Sequence, residues 1–148
     1  MSKLVAGDGL EAWRSFLQAH AAVISKIERD LDERGLVQLI WYDVLVAIQA
    51  APGHRIRMSA LADHLVLTRS GATRLIDRLE TAKLVQREPA DDDRRGAFAT
   101  LTAGGRDALR RAWPVYARGI NEQFLAHLSK REVEMMASAF SRIRKASP

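Results

Sequence analysis

The 148-residue chain contains no cysteine. Disulfide bonds, thiolate metal sites and oxidant sensing by a thiol are therefore excluded for this sequence. No pair among its four histidines has the spacing of metal ligands; they are His20, His54, His64 and His127. We expect neither a metal nor another cofactor.

Sequence motifs of catalysis are also missing. The chain has no glycine-rich phosphate loop, no nucleophile elbow and no paired-carboxylate motif. We therefore expect that the protein is not an enzyme and has no catalytic residues.

Long apolar runs are absent as well. No stretch approaches the roughly 18 residues of a membrane span. The first residues, Met-Ser-Lys-Leu-Val-Ala-Gly-Asp, lack the apolar core of a signal peptide. We expect a cytoplasmic protein with no membrane partner.

Positive charge is what the sequence has in excess. The net charge of +5 and the sequence pI near 10.1 favour a polyanionic partner. Residues 52–111 hold 12 Lys and Arg against 8 Asp and Glu, whereas residues 1–51 hold 5 against 7. The length fits one domain over residues 1–148, and 47% hydrophobic residues are enough for a core. The basic centre is where we expect a nucleic-acid interface.

The most informative segment begins at Thr68. Its apolar residues recur at the three- and four-residue spacing of one helical face, which predicts a helix that buries Ala72, Leu75, Ile76 and Leu79. The opposite face collects hydroxyl and charged side chains, with two more arginines on its flanks: Ser70, Thr73, Arg74 and Asp77, then Arg69 and Arg78. Such side chains suit the base edges and phosphates of a major groove, which admits one α-helix. The alternative is a solvated helix face.

A second short helix precedes this one. Ser59 is a candidate N-cap, and an apolar face follows it at Leu61, Ala62 and Leu65. Only two residues separate this helix from Thr68, the cap of the next. Two short helices joined this tightly predict a helix-turn-helix over residues 59–82.

A β-hairpin is predicted directly after the helix pair. Residues 84–88 and 97–101 are strand-like, and the polar residues 89–96 between them favour a turn. Arg94 and Arg95 at its tip suit a minor groove, which is narrow and negative and attracts arginine. The alternative is that the neighbouring aspartates merely neutralise both arginines on a surface loop.

Both ends of the chain carry apolar helical stripes. Thr102 is predicted to cap a long helix, and Ser129 with Glu132 predicts a capping box before a last helix. The stripe near the N-terminus is closed by Gly35 and consists of Trp13, Phe16, Leu17, His20, Ile24, Ile27 and Leu31. We interpret residues 10–35 and 103–146 as dimerisation helices and residues 37–102 as the DNA-binding part. The alternative is an intramolecular bundle.

Taken together, these residues resemble the multiple-antibiotic-resistance regulator (MarR) family of bacterial winged-helix repressors. Each similar stretch is weak alone, but their order and spacing are specific. The stretches are Trp-Tyr-Asp-Val-Leu at 41–45, Arg-Met-Ser-Ala-Leu-Ala at 57–62, Ser-Gly-Ala-Thr-Arg at 70–74, Arg-Leu-Glu at 78–80, Leu-Val at 84–85, Asp-Arg-Arg-Gly at 93–96 and Leu-Thr at 101–102.

The resemblance implies roles for individual residues. Arg95 would enter the minor groove, held by Asp93, while the residues facing the major groove would be Arg69, Ser70, Thr73 and Arg74. There is one departure, because the family usually has glycine at the end of the recognition helix and this chain has Lys83. A left-handed lysine would cost on the order of 1 kcal/mol. We therefore expect that helix end to close differently.

A small aromatic or phenolic effector is also implied by the resemblance, which places such ligands in a cleft between the dimerisation helices and the DNA-binding part. The urate-responsive branch of the family binds its ligand with a tryptophan, an aspartate and two arginines. Trp13, Asp43 and Arg87 of this chain match three of these residues, but the position of the second arginine is occupied by Leu75. We therefore do not expect a urate site, while a related aromatic anion stays open. The full candidate pocket is Trp13, His20, Trp41, Tyr42, Asp43 and Arg87, although such aromatics are more often core.

We expect a mainly α fold with a small β-hairpin wing, that is, a winged helix-turn-helix with N- and C-terminal dimerisation helices. The expected function is sequence-specific binding of double-stranded DNA by a homodimer on a pseudo-palindromic operator, as a ligand-responsive transcriptional repressor. The alternative is a helical dimerisation or protein-interaction module whose wing contacts protein instead of DNA.

Overall fold

The computed structural model describes residues 7–65, 67–90 and 96–147. Short 3₁₀ turns lie at Pro52–His54 and Leu125–His127, and none of the helices in these ranges is long and apolar enough to cross a membrane. The expected mainly helical fold with a small β wing is confirmed. The helices and strands, in chain order, are α1 (Asp8–Glu33), α2 (Leu39–Ala50), β1 (Arg55–Arg57), α3 (Met58–His64), α4 (Arg69–Thr81), β2 (Val85–Pro89), β3 (Ala97–Leu101), α5 (Ala103–Gln123) and α6 (Lys130–Ala146).

The chain divides into two compact units. Leu31–Pro114 forms the central unit, which holds α2 to β3 and the first part of α5. The terminal unit holds α1 up to Asp30, the part of α5 from Val115 onward, and α6. Helix α5 continues through Pro114, the last residue of the central unit.

The sheet of the central unit has three antiparallel strands in the order β1-β3-β2. The predicted hairpin is confirmed, with Val85 opposite Leu101 and Pro89 opposite Ala97. Strand β1 was not expected, because three residues with two arginines give no strand pattern; it forms by pairing with β3. The tip of the hairpin, residues 91–95, lies outside the described residues.

The core of the central unit joins α2, α3, α4 and β2. Predicted burial of Ala72, Ile76 and Leu79 on α4 is confirmed, whereas Leu75 is only half-buried at the edge of that stripe. The largest fully buried side chains here are Leu31, Val44, Leu45, Ile48, Leu61, Ile76, Leu79 and Val85. Each fully buried Leu, Ile or Val stabilises the folded state by about 1.5–3 kcal/mol relative to exposure. The apolar stripe of α4 therefore fixes which of its faces points away from the core.

The starts of α3 and α4 differ in their capping. The expected Ser59 cap is wrong: α3 begins at Met58 with Arg57 as its N-cap residue, and no described side chain caps it. Strand β1 holds Arg57 extended, at φ −65° and ψ 141°, so the helix starts directly from the strand. The Thr68 cap of α4 is confirmed, because its hydroxyl accepts a hydrogen bond from the Gly71 N–H at 3.0 Å.

The end of α4 closes as a Schellman motif with Lys83 in the left-handed region at φ 60°. The Leu84 N–H donates to the Leu79 carbonyl and the Lys83 N–H to the Glu80 carbonyl, both at 2.9 Å. Our expectation of a different closure is therefore wrong. The Thr102 hydroxyl donates to the Lys83 carbonyl at 2.6 Å, so a contact from the start of α5 helps to hold the strained residue.

The remaining predicted helix ends are confirmed. Gly35 closes α1 at φ 62°, and the Thr102 hydroxyl accepts from the Gly105 N–H at 3.0 Å at the start of α5. Ser129 and Glu132 form the predicted capping box. The Ser129 hydroxyl and backbone N–H both donate to the Glu132 carboxylate, which lowers the pKa of that carboxyl.

The terminal unit leaves much apolar surface exposed. The Phe16 ring on α1 lies 5.5 Å from the Phe140 ring on α6 and 6.0 Å from the Trp13 ring, measured between centroids. A groove of about 550 Å³ runs beside Phe16 and is lined almost wholly by apolar atoms. Exposed large apolar residues of this unit are Trp13, Phe16, Leu17, Met135, Phe140 and Ile143. Contiguous patches of this kind mark surfaces that bind another macromolecule or a ligand.

We predict that Lys83→Gly stabilises the protein by about 0.5–1 kcal/mol. Glycine has no Cβ penalty at positive φ, and its larger freedom in the unfolded chain offsets only part of that gain. The measurement is the urea midpoint at fixed protein concentration, with the slope unchanged. Ala82→Gly is the control, because Ala82 has φ −76° and glycine relieves no strain there. A midpoint for Lys83→Gly at or below that of the wild type would contradict the strain assigned to Lys83.

Candidate nucleic-acid interface

The face of α4 opposite its buried stripe presents two hydroxyls and two guanidiniums. Arg69, Ser70, Thr73 and Arg74 are all exposed, as expected for residues that read DNA. The Thr73 hydroxyl donates to the Arg69 carbonyl at 2.9 Å, so its lone pairs and methyl group still face outward. Arg74 Nε lies 3.4 Å from the Ser70 carbonyl, which leaves the guanidinium fork for a further partner. Arg78, the fifth predicted helix residue, is exposed in the last turn.

Arg87 on β2 ties the hairpin to α4. Its Nη2 lies 2.6 Å from Asp77 Oδ1, and its Nη1 lies 3.3 Å from Glu80 Oε1. The Arg87 backbone N–H also donates to Glu80 Oε2 at 3.1 Å, and Nη2 lies 3.4 Å from the Thr73 carbonyl. With only 29% of its side chain exposed, Arg87 is shielded enough for these charge-assisted bonds to orient α4 relative to the sheet.

Sequence reasoning missed this role of Arg87. Asp77 was placed on the outward polar face, and it is exposed, but its carboxylate is paired with Arg87. The available signal was the pair of acids three residues apart on α4, Asp77 and Glu80, followed by an arginine just past the helix end. The turn at Lys83 folds that arginine back onto the acids.

A polar cavity of about 340 Å³ lies beside the outward face of α4. It is bounded by the end of β1, the start of α3, two residues of α4 and the foot of the hairpin. The lining residues are Arg57, Met58, Ser59, Arg69, Thr73, Gly96 and Ala97. The sequence analysis assigned no role to Arg57, which it named only within residues 57–62, a stretch that resembles the MarR family. The cavity places Arg57 next to the predicted DNA-reading residues Arg69 and Thr73.

The predicted wing residues Asp93, Arg94 and Arg95 lie outside the described residues. Their roles stay predictions. The strands that lead to them are described, and Pro89 and Ala97 face each other as the last pair before the tip.

The candidate effector residues fall in both units. Trp13 and His20 belong to the terminal unit, where Trp13 is exposed and His20 lines the apolar groove. In the central unit, Trp41 is half-buried, Tyr42 is buried and Asp43 is exposed, while Arg87 is engaged with α4. No group of three or more histidines, aspartates or glutamates in the described ranges is arranged to hold a metal ion.

The fold and this outward face define a winged helix-turn-helix protein: two short helices, the second with a polar exposed face, followed by a β-hairpin. A family model described as the MarR family matches residues 37–96. Over these residues the chain is similar to the MarR family.

Comparison with a curated relative gives a similar result over part of the chain. The HTH-type transcriptional regulator MhqR of Bacillus subtilis (strain 168) is 31% identical over 86 residues, covering 58% of this chain and 59% of MhqR. The match thus spans less than two thirds of that relative's length.

Similarity to solved structures extends over nearly the whole chain. AbsC, a MarR family transcriptional regulator from Streptomyces coelicolor, has a TM-score of 0.89 at 29% identity, covering 98% of this chain and 97% of AbsC. Sco3205, a MarR family regulator from the same organism solved in complex with DNA, has a TM-score of 0.89 at 26% identity, covering 97% of this chain and 93% of Sco3205.

We predict a measurable coupling between Arg87 and Asp77. Arg87→Gln should lower the free energy of unfolding by about 1 kcal/mol, because it leaves two carboxylates of α4 without their partner. A double-mutant cycle with Asp77→Asn should give a coupling energy of roughly 0.5–1.5 kcal/mol by urea unfolding. Arg78→Gln removes the same charge from the exposed surface of α4 and should change stability by less than about 0.5 kcal/mol. Additive effects of Arg87→Gln and Asp77→Asn would show that the pair does not hold β2 to α4.

Proposed function

We propose that this chain is a sequence-specific, double-stranded DNA-binding transcriptional regulator. The observation that carries the proposal is the outward face of α4, where Arg69, Ser70, Thr73 and Arg74 stand opposite the buried stripe. An α-helix fits the major groove, where arginine pairs bidentately with guanine and threonine offers a hydroxyl or a methyl group to base edges. The positive charge of residues 52–111 supplies the attraction to phosphates that any DNA-binding protein needs.

The DNA-binding part in this proposal is residues 37–102. Helix α4 reads the major groove, Arg78 contacts the backbone or bases at its far end, and Arg94 and Arg95 enter the adjacent minor groove with Asp93 orienting Arg95. The likeness to MhqR, a regulator of the helix-turn-helix type, and to Sco3205, solved in complex with DNA, supports this assignment.

The protein acts as a homodimer in this proposal, through residues 10–35 and 103–146. The support is the apolar surface of the terminal unit, where the Trp13 side chain is 58% exposed and that of Ile143 61%. Exposed apolar residues of this size on two long helices are costly to leave in water, and a second copy would cover them. A two-fold dimer sets two α4 helices about one DNA turn, roughly 34 Å, apart, which suits a pseudo-palindromic operator.

Repression follows most simply from this arrangement, since a dimer seated on its operator excludes other proteins from that DNA. We place the protein in the cytoplasm, because chromosomal DNA is its partner, and we assign it no enzymatic activity and no cofactor.

A small aromatic or phenolic effector would relieve repression by a population shift. It must bind the DNA-incompetent state more tightly, since equal affinity for both states shifts nothing. The candidate ligand residues are Trp13, His20, Trp41, Tyr42, Asp43 and Arg87. Arg87 would couple effector binding to DNA binding. A ligand carboxylate that binds the Arg87 guanidinium must compete with Asp77 and Glu80 of α4.

The decisive experiment uses the purified full chain and a duplex enriched from random-sequence DNA. Fluorescence anisotropy across a salt series compares that duplex with a scrambled one of equal composition. We expect binding to the enriched duplex at least about a thousandfold tighter, with a steep salt dependence. Equal, weak binding to both duplexes, together with failure to enrich any sequence, would leave the protein-interaction module as the better account.

Arg74→Ala should weaken operator binding by about 1–3 kcal/mol and relax specificity at one position in each half-site, if Arg74 contacts a base edge. Anisotropy with a set of singly substituted operators measures both effects. The matched control is Arg118→Ala on α5, an exposed arginine of the terminal unit. Unchanged operator affinity in Arg74→Ala would remove Arg74 from the reading residues.

Arg95→Ala should weaken binding mainly where the operator flank is rich in A·T pairs. The reason is that A·T tracts narrow the minor groove and strengthen its attraction for arginine. Affinity is compared on operators that differ only in an A·T-rich or G·C-rich flank. Equal losses on both flanks would contradict the minor-groove assignment.

A further inference from the structure

Thr73 lies in the middle of the exposed polar face of α4. It is itself exposed, with Arg69 one helical turn before it and Asp77 one turn after it. The hydrogen-bonding roles of these two neighbours are fixed, because a guanidinium only donates and an ionised carboxylate only accepts. A threonine can donate or accept through its hydroxyl, or contact a base with its methyl group. What Thr73 reads therefore depends on which of these groups its own contacts leave available.

The hydroxyl proton of Thr73 is already used within the helix. The hydroxyl donates to the Arg69 carbonyl at 2.9 Å, a bond to the preceding turn that helical threonine often makes. A guanine O6 or N7 acceptor would have to replace this carbonyl. Because the exchange of one acceptor for another gains no hydrogen bond, Thr73 is a poor donor to a base edge.

The same bond sets the direction of the Thr73 methyl group. The hydroxyl and the methyl group occupy different staggered positions on Cβ, so a hydroxyl turned back along the helix leaves the methyl group in another direction. An oxygen bonded to a carbonyl of the preceding turn lies against the helix backbone, where an approaching base edge meets it less easily than the methyl group. The methyl group is the part of the side chain that remains for contact with DNA.

The backbone of Thr73 is held as well. Arg87 Nη2 lies 3.4 Å from the Thr73 carbonyl and 2.6 Å from Asp77 Oδ1. Thr73 is thus tied to β2 through its carbonyl and to the preceding turn of α4 through its hydroxyl. Van der Waals attraction weakens steeply when a small gap opens between two groups. A methyl group presented from a fixed backbone can therefore distinguish bases that differ by one methyl group.

We infer that Thr73 reads thymine, by packing its methyl group against the thymine 5-methyl group in the major groove, and that its hydroxyl makes no hydrogen bond to a base. The inference rests on the proposed function and adds to it the base that one residue of α4 selects. Thymine is the base whose major-groove edge carries a methyl group. Each half-site of the operator should contain one thymine whose methyl group contacts Thr73.

The test replaces each thymine of the enriched duplex singly by uracil, which lacks the 5-methyl group and keeps every hydrogen-bonding group. Fluorescence anisotropy measures the affinity of the wild-type full chain for each duplex. Affinity should fall about fourfold at one thymine in each half-site, which is the loss expected when one methyl group is no longer buried.

Two variants assign this loss to the Thr73 methyl group. Thr73→Val keeps a methyl group and removes the hydroxyl, so it should bind the thymine duplex as tightly as the wild type and show the same loss with uracil. Thr73→Ser keeps the hydroxyl and removes the methyl group, so it should bind both duplexes equally, with the affinity that the wild type has for the uracil duplex. Thermal unfolding at equal concentration reports whether each variant is folded, and the uracil scan of the wild type needs no variant.

Thr81→Ser is the matched control. The Thr81 hydroxyl makes the same kind of bond, to the Asp77 carbonyl at 2.9 Å, and Thr81 is exposed on the same helix but lies outside the predicted DNA-reading residues. Removal of its methyl group should leave the uracil loss of the wild type unchanged.

Several results would overturn the inference and leave the proposed function intact. Weaker binding of the thymine duplex by folded Thr73→Val would make the hydroxyl the reading group. An enriched sequence without a common thymine in its half-sites, a uracil scan without effect, or an unchanged uracil loss in Thr73→Ser would exclude the methyl contact. If the wild-type chain enriches no sequence from random DNA, the proposed function and this inference fall together.

Discussion

Arg87 joins the hairpin to α4 through ion pairs with Asp77 and Glu80, which together form a clamp. Asp77 lies on the same exposed face of α4 as the candidate DNA-reading residues. The buried stripe of α4 sets the rotation of the helix about its own axis, while the clamp sets its position against the sheet. Because base-edge contacts tolerate little displacement, a reading helix must be fixed in both respects before its side chains can discriminate. The proposed DNA interface depends on these two constraints.

The end of α4 shows how the fold tolerates a residue in an unfavourable backbone conformation. Lys83 takes a left-handed conformation that glycine would adopt without strain, yet the Schellman hydrogen bonds and the Thr102 hydroxyl hold it there. The approach of α5 is equally close at Gly105, where a Cβ atom would overlap the Leu84 carbonyl oxygen. Tertiary contacts of this kind outweigh a local propensity of about 1 kcal/mol.

Local signals in the sequence were sufficient for much of this fold. The apolar spacing of α4, the Thr68 and Ser129 caps and the glycine at position 35 each act within a few residues, so sequence alone predicted them. The errors arose where distant segments meet. Strand β1 exists only through its pairing with β3, and it displaces the expected Ser59 cap. The Arg87 clamp likewise joins segments on the two sides of the turn at Lys83. The exposed polar face of α4 was predicted, whereas the cavity beside Arg57 required the folded arrangement.

The most direct test of the account is a crystal structure of the protein bound to its enriched duplex. We expect α4 in the major groove, with side-chain donors of Arg69, Ser70, Thr73 or Arg74 at about 2.7–3.2 Å from base-edge acceptors. We also expect Asp77 and Glu80 still paired with Arg87. A complex in which α4 lies outside the groove, or in which DNA contacts the protein only through other surfaces, would contradict it.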